Sequence, residues 1–222
     1  MSTITITEAG GLLGVVLEHP VLAVTVLEEL RGVLEDLSVR GRPGPLVLSS
    51  AHPEVFTAGA HLGEIARLDV ADAGRYADLG RSLLARLETW PGPTVAAVDG
   101  SCSGGGFDLV LACDAVAASP RATFRHPGVL RGLVTGWSGT TRLPWQLGRP
   151  PARAAVLTAR ELSAPELARA GLALMLADEP LDAARQLARR LARLEPTRLG
   201  LWRRLRHGRF VDRFRASVVH SD

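Results

Sequence analysis

The stretch "DGSCSGGGFDLVLACD", residues 99–114, decides how this chain is interpreted. A buried-strand pattern, "TVAAVDG", leads into it, and an apolar run with helical character follows the three glycines Gly104, Gly105 and Gly106. Without Cβ atoms, backbone N–H groups at such a corner can approach a ligand atom, and the helix N-terminus adds a partial positive charge. The corner therefore predicts a site for an oxyanion, with the lone carboxylate of Asp108 one turn into the helix. No Lys-Ser/Thr pair follows the glycines, which excludes a phosphate loop.

A second corner of small residues occurs earlier in the chain, in "EVFTAGAHL", residues 54–62. The segment follows a strand-like pattern, and its bare part is Ala58-Gly59-Ala60. A thioester carbonyl that becomes an enolate needs two N–H donors aimed at its oxygen. Two small-residue corners, each able to supply one N–H, meet that requirement.

The order of the elements predicts an α/β fold. An alternating "TITIT" segment and "GLLGVVLE" read as a hairpin, and "VLEELRGVLEDL", residues 26–37, has the apolar spacing of an amphipathic helix. Helices then alternate with short apolar strands, which is typical of layered α/β proteins. From residue 150 onward the pattern is mostly helical. We expect a core domain over residues 1–195 and a short arginine-rich helical segment over residues 196–222.

Composition excludes several classes of function. The chain has 222 residues, 46% of them hydrophobic, a net charge of +3 and no lysine, so a Schiff-base lysine mechanism is excluded. Cys102 and Cys113 form no CxxC pair, and no metal site is predicted. No signal peptide or membrane-length apolar run is visible, so we expect a cytoplasmic protein that binds no membrane. The arginines lack aromatic interleaving, which argues against nucleic-acid binding.

Four blocks resemble the crotonase superfamily, the enoyl-CoA hydratase/isomerase family. They stand in family order, and together they cover most of the chain: "VFTAGAHLGEI", "PTVAAVDGSCSGGGFDLVLACDAVAAS", "ATFRHPGVLRGLVTGWSGTTRLPWQLG" and "ARELSAPELARAGL". The resemblance implies a crotonase-like β/α spiral, the ClpP/crotonase fold, with a short C-terminal helical tail. It implies homotrimers or hexamers, and acyl thioester substrates carried on coenzyme A or on an acyl carrier protein, with no separate cofactor. It also makes the N–H groups of Ala60 and Gly105 the oxyanion hole.

The chain departs from the family pattern at the two acid/base positions. A typical hydratase uses two glutamates to hold and deliver a water. Asp108 stands at the first position with a side chain one methylene shorter, and Gly128 stands at the second. Dihydroxynaphthoyl-CoA synthases also have glycine at the second position, but they carry an aspartate where this chain has Thr135, so that activity is not inferred. Asp108 is the expected acid/base, and a helix N-terminal acidic residue stabilised by the dipole is its structural alternative.

Gly104, Gly128 and three larger residues are further candidates for substrate binding. His61 replaces the usual aspartate after Ala60, His126 precedes Gly128 by two residues, and Trp137 aligns near the acyl pocket. Each has a structural alternative: a partly exposed loop histidine, a histidine pointing away from the site, or a tryptophan in plain packing.

The ligand-binding ends of the chain also differ from the family. Glu18, in "LEHPVLA", would repel coenzyme A phosphates if it took the place of the family's arginine. The arginines of "RRLRHGRF", residues 203–210, fit a phosphate, an acidic carrier protein or a solvated helix surface.

Two functions of different classes remain. The first is an enzyme that acts on acyl thioesters and performs hydration or dehydration, isomerisation or decarboxylation. The arginine-rich composition associates this enzyme with a polyketide pathway. The second is a non-catalytic, crotonase-like accessory or acyl-binding protein. A carboxylate of Asp108 that faces the oxyanion hole favours the first, and one that faces solvent or sits in a structural ion pair favours the second.

Overall fold

The N-terminal alternating segment forms the predicted hairpin. In the computed structural model, which describes residues 2–39, 44–194, 199–201 and 203, strand β1 (Ile4–Ala9) pairs antiparallel with β2 (Leu12–Leu17). Gly10 and Gly11 connect them with φ angles of 58° and 71°, a left-handed conformation that glycine adopts without strain. β1 exposes most of its residues and β2 is mostly buried, so β1 forms the edge of a sheet.

Most strands belong to two sheets. The larger sheet has the order β1-β2-β4-β7-β9-β12 and is parallel apart from the first pair. The smaller sheet has the order β11-β10-β8-β5, and β3 pairs with β6 alone. The remaining strands are β3 (Val21–Leu22), β4 (Leu46–Ser50), β5 (Val55–Thr57), β6 (Gly59–Ala60), β7 (Thr94–Val98), β8 (Ser101–Ser103), β9 (Ala115–Ala118), β10 (Thr123–Arg125), β11 (Leu162–Ser163) and β12 (Leu174–Leu176).

Three successive turns of chain build the spiral. In each turn one strand enters the larger sheet and the next enters the smaller one: β4 then β5, β7 then β8, and β9 then β10. A chain that passes between two sheets in this way places the ends of its short second strands side by side. The corners at the ends of β5 and β8 therefore become neighbours although they are separated by more than forty residues.

Helices cover both faces of the larger sheet. The helices of the described residues are α1 (Val24–Val39), α2 (Leu62–Ile65), α3 (Val70–Glu88), α4 (Gly105–Ala112), α5 (Gly139–Leu147), α6 (Arg149–Thr158), α7 (Ala164–Arg169) and α8 (Pro180–Ala192), with a 3₁₀ helix at Pro127–Arg131. The predicted helix at residues 26–37 lies inside α1 and buries Leu27, Leu30 and Leu34. Helix α8 packs small residues, including Ala184 and Ala188, against the other face of the sheet.

The predicted arginine-rich tail is described only at its beginning. Residues 199–201 and 203 are helical, and residues 204–222 lie outside the described residues, as does most of "RRLRHGRF". The Arg203 Nη2 donates to the buried Asp114 carboxylate at 2.7 Å and to the carbonyl oxygen of Gly92 at 2.8 Å. Arg203 thus links the start of the tail to the core. Within the described part of the chain, no helix combines the length and apolar character needed to cross a membrane.

Trp137 joins three helices at the centre of the molecule. Its ring is 3% exposed, and it occupies the positions where side chains of Gly80 in α3 and Gly105 in α4 would stand. The ring centroid lies 5.5 Å from that of Tyr76, and the Trp137 carbonyl oxygen accepts a hydrogen bond of 2.7 Å from Arg142 in α5. The two glycines therefore make room for one large side chain.

Gly80→Ala tests this packing. A Cβ at position 80 would lie 2.0 Å from Trp137 Nε1, so the ring must move, and we expect a loss of about 1–3 kcal/mol in the free energy of unfolding. Gly74→Ala is the matched control in the same helix, because nothing lies within 4 Å of its Cβ position. That control should gain up to about 1 kcal/mol from helix propensity. Urea unfolding of both variants measures the difference, and equal effects would contradict the packing role of Gly80.

Candidate active site

The two bare corners predicted from the sequence touch each other. Gly59 has a φ of 87° and Gly104 a φ of 55°, both in the left-handed region. A Cβ on Gly59 would lie 2.8 Å from the carbonyl oxygen of Ser103 and 3.4 Å from the Cα of Gly104. The close approach of the main chains therefore requires glycine at position 59.

Hydrogen bonds hold both corners in place. The Gly59 N–H donates to the buried Thr57 hydroxyl at 2.9 Å, and the Gly104 N–H donates to the carbonyl oxygen of Arg125 at 2.9 Å. Helix α4 starts at Gly105, so the first N–H groups of that helix have no acceptor within it. At Gly106 a Cβ would lie 1.8 Å from Thr57 Cγ2, so α4 packs directly on the first corner.

Both corners line one cavity of about 850 Å³. Ala60, Gly104 and Gly105 stand on its wall, together with the candidates His61, His126, Gly128 and Trp137. Among the lining residues that the structure describes, Asp108 is the one acidic side chain. The structure thus brings all the predicted site residues to one cavity.

Asp108 lies in the wall of this cavity with its side chain fully buried. Its Oδ2 accepts a hydrogen bond from the Thr135 hydroxyl, whereas no residue of the described ranges bonds Oδ1. Burial raises the pKa of Asp108 to about 7, although the Thr135 hydrogen bond and the charge of Arg142 act in the opposite direction. The carboxylate faces neither solvent nor an arginine partner. Asp108 lies in the first turn of α4, so its structural alternative, a helix N-terminal acidic residue stabilised by the dipole, stays open beside its role as acid/base.

His126 is a titratable neighbour of Asp108. Its Nε2 lies 3.5 Å from Asp108 Oδ1, and its ring stacks on Phe107 with centroids 5.0 Å apart. Neither ring nitrogen has a hydrogen-bond partner in the part of the chain that the structure describes, and the side chain is buried. Burial lowers the pKa of His126 to about 4, so the imidazole is neutral at pH 7 and forms no ion pair with Asp108.

Gly128 carries no group that could replace the second glutamate. It lies in the 3₁₀ helix, where a Cβ would come within 2.9 Å of the Leu133 carbonyl oxygen. The helix ends at Arg131, and its C-cap Gly132 has a φ of 68°. The following loop, residues 132–138, returns the chain to the cavity and brings Thr135 to Asp108.

His61 has a clear structural role beside its position on the cavity wall. It is the N-cap of α2, and its Nδ1 accepts a hydrogen bond of 3.1 Å from the Glu64 N–H. The Glu64 carboxylate in turn accepts a hydrogen bond of 2.9 Å from the Val24 N–H at the start of α1. Substrate binding by His61 stays a prediction.

Sequence reasoning missed two residues that enclose Asp108. Thr135 bonds its carboxylate, and Gly139 covers Oδ1 so closely that a Cβ there would stand 2.0 Å away. Behind them, Arg142 donates to Glu88 at 2.8 Å. No local pattern marks these residues as neighbours of Asp108, because each meets it only through tertiary packing.

Comparisons with known proteins agree with the resemblance. Residues 8–204 match the model of the enoyl-CoA hydratase/isomerase family. The chain is 38% identical over 169 residues to the human "enoyl-CoA hydratase domain-containing protein 2, mitochondrial", a match that covers 75% of this chain and 56% of that protein. It is 33% identical over 180 residues to the 2,3-dehydroadipyl-CoA hydratase of Escherichia coli, which covers 80% of this chain and 68% of that one. The chain thus spans little more than half the length of the human relative.

Solved structures are similar over nearly the whole chain. Pseudomonas aeruginosa DspI has a TM-score of 0.87 and 26% identity, with 99% of this chain and 88% of that chain covered. An enoyl-CoA hydratase from Bacillus anthracis has a TM-score of 0.82 and 26% identity, with 91% of this chain and 81% of that chain covered. The predicted crotonase-like fold is confirmed.

The raised pKa of Asp108 predicts a pH-dependent stability. Because the folded state holds this proton more tightly than the unfolded state, whose value is near 3.8, the contribution of Asp108 is present below pH 4 and is lost as the pH rises to about 7. Asn cannot ionise, so Asp108→Asn does not lose stability as the pH rises from about 4 to 7. Relative to the wild type, the free energy of unfolding of the variant should therefore increase across this pH range, by on the order of a few kcal/mol.

Urea unfolding at pH 4.5, 5.5, 6.5 and 7.5 measures the difference. His126 contributes a slope of the opposite sign between about pH 4 and 6.5, but it is present in both proteins and largely cancels. The exposed Asp182→Asn in α8 is the surface control for the replacement of a carboxylate by an amide. A constant difference between Asp108→Asn and the wild type would show that Asp108 has an ordinary pKa.

Proposed function

The chain belongs to the enoyl-CoA hydratase/isomerase family, and from this premise we propose that it is an enzyme that acts on an acyl-CoA thioester through an enolate. One observation carries the proposal: a buried carboxylate with a pKa near 7 lies on the same cavity as two bare main-chain corners. A reaction at the carbon next to a thioester carbonyl needs both features. The main-chain N–H groups stabilise the negative charge on oxygen, and the carboxyl group accepts or donates the proton on carbon.

The N–H groups of Ala60 and Gly105 stabilise the thioester oxygen as it gains negative charge. Three features support this role: the contact between the corners, the start of α4 at Gly105 and the position of both residues on the cavity wall. Donors fixed by the fold cost no reorganisation when the charge forms, and a helix N-terminus adds to their effect.

Asp108 moves the proton. A carboxyl group with a pKa near 7 is present in both charge states at neutral pH, so it can accept a proton from the substrate and return it. With glycine at position 128, hydration or dehydration and isomerisation must proceed through this one carboxylate, and decarboxylation would need it only for reprotonation.

A non-catalytic, acyl-binding role is the second candidate. The observation that favours it is the complete burial of Asp108 behind Thr135 and Gly139, together with the missing carboxyl group at position 128. In this case the cavity would hold an acyl group while the protein serves a partner enzyme.

Several finer features stay predictions from the sequence. These are the homotrimer or hexamer, an acyl carrier protein as the donor of the thioester, a cytoplasmic location and a place in polyketide biosynthesis. Exposed apolar side chains at Leu130, Val134 and Trp145 are compatible with a subunit interface.

A panel of thioesters tests the proposal. Crotonyl, 3-hydroxyacyl, malonyl and butyryl thioesters of coenzyme A are incubated with the protein in H₂O and in D₂O. A mass change of water or carbon dioxide identifies hydration, dehydration or decarboxylation, and chromatography separates isomers. Deuterium uptake by butyryl-CoA reports an enolate even without a net reaction. Binding of thioesters with neither conversion nor deuterium uptake would contradict the enzyme and favour the acyl-binding protein.

Asp108→Asn should lower turnover or deuterium uptake by at least about 100-fold, the lower range for loss of an acid/base group. Asparagine keeps the size of the side chain and the fold, so binding of the thioester should be retained. Asp182→Asn serves as the surface control and should leave the rate unchanged. An unchanged rate in Asp108→Asn would remove Asp108 from the mechanism.

A further inference from the structure

Asp108 and His126 present two unpartnered buried atoms to each other. Among the described residues, Asp108 Oδ1 and both nitrogens of His126 have no hydrogen-bond partner, and Oδ1 and Nε2 are 3.5 Å apart. A buried polar atom without a partner typically costs about 1–3 kcal/mol, so such atoms are rare unless a proton, a water or a ligand satisfies them. At 3.5 Å the two atoms are too far apart for a good hydrogen bond, but a shared proton satisfies both once they approach to about 3 Å.

The surroundings keep this pair isolated. Thr135 occupies the other carboxylate oxygen, Gly139 covers Oδ1 and Nε2, and Phe107 holds the flat face of the imidazole. Among the described residues, the charged and titratable groups near the pair include Arg142, whose charge acts on Asp108 and which is paired with Glu88, and the buried thiol of Cys102. Arg125, which precedes His126, donates to the carbonyl oxygen of Ala159. None of these can exchange a proton with the cavity in place of His126, which lines it.

We infer that His126 is a second proton-transfer group, which acts together with Asp108 as one pair. It takes the role of the second acid/base group, for which Gly128 has no side chain. This rests on the proposed function. When Asp108 is ionised, the neutral His126 carries its proton on Nε2 and donates it to Oδ1, leaving a lone pair on Nδ1. When Asp108 is protonated, Oδ1–H donates to Nε2, and the ring proton is on Nδ1. The tautomer of His126 therefore reports the charge of Asp108.

The catalytic step balances through this pair. Both ring nitrogens of His126 are buried, so the step requires the groups that cover Nδ1 to move aside when the thioester binds. The Nδ1 lone pair then takes a proton from the carbon beside the thioester carbonyl, and the electrons of the C–H bond become the enolate. Nε2 passes its proton to Asp108 Oδ1, so the negative charge leaves Asp108 and appears on the substrate. The reverse sequence returns a proton to carbon. Asp108, which also lines the cavity but is fully buried, thereby exchanges its proton with the substrate through His126.

Nitrogen-15 NMR of histidine-labelled protein between pH 5 and 9 tests the pair without any substrate. His126→Phe, which keeps a ring on Phe107, assigns the signals by their disappearance. We expect a neutral ring throughout, with the proton on Nδ1 at low pH and on Nε2 at high pH, and we expect no such exchange in Asp108→Asn. A single tautomer that ignores the charge of Asp108, or a ring that becomes imidazolium near its ordinary pKa, would overturn the inference.

Deuterium uptake by butyryl-CoA tests the step itself. His126→Phe and Asp108→Asn should each lower uptake at least about 100-fold, and the double variant should lose little more, because the two residues act as a unit. His19→Gln, an exposed histidine outside the cavity, is the control and should keep full activity. A normal rate in His126→Phe would refute the relay. If the wild type shows no uptake, the proposed function fails, whereas the tautomer exchange still decides whether the pair shares a proton.

Discussion

The contact between two stretches of bare main chain is the constraint on which the site depends. At Gly59 the backbone approaches Ser103 and Gly104 so closely that no Cβ fits, and at Gly106 the helix meets Thr57 in the same way. The Thr57 hydroxyl then fixes the N–H of Gly59. This contact exists because the spiral places the ends of β5 and β8 next to each other in the smaller sheet. Helix α4 consequently starts at the cavity and carries Asp108 into its wall.

The electrostatics of the site follow from what surrounds Asp108. Desolvation works against its charge, and a single hydroxyl and a distant guanidinium partly offset that effect. Unpartnered atoms at Asp108 and His126 reduce stability, which an extensive core of leucine, valine and phenylalanine side chains offsets. A local loss of stability of this kind is typical of sites that exchange a proton. A carboxylate with all its hydrogen bonds made would stay ionised and would not accept a proton near pH 7.

The sequence predicted most of the architecture, but only part of the site. The hairpin, α1 and the glycine corners carry local signals, namely alternation, apolar spacing and the absence of Cβ atoms. Asp108 could be singled out because it follows the glycines by a few residues. The enclosure by Thr135, the stacking of His126 on Phe107 and the ring of Trp137 between Gly80 and Gly105 could not be predicted, because each joins residues that lie far apart in the chain and depends on tertiary packing.

The convergence of the Ala60 and Gly105 amides on one thioester oxygen is tested most directly by the infrared carbonyl band of bound butyryl-CoA with a ¹³C-labelled thioester carbon. The Gly105→Pro substitution deletes one N–H at a position where a helix tolerates proline, and it is made in a Trp137→Ala background because Trp137 would otherwise collide with the new ring. Convergence of the two amides predicts a band at lower frequency than in water for the wild type and for Trp137→Ala alone, and a smaller shift for the double variant. An unshifted band in the wild type, or an equal shift in all three proteins, would contradict it.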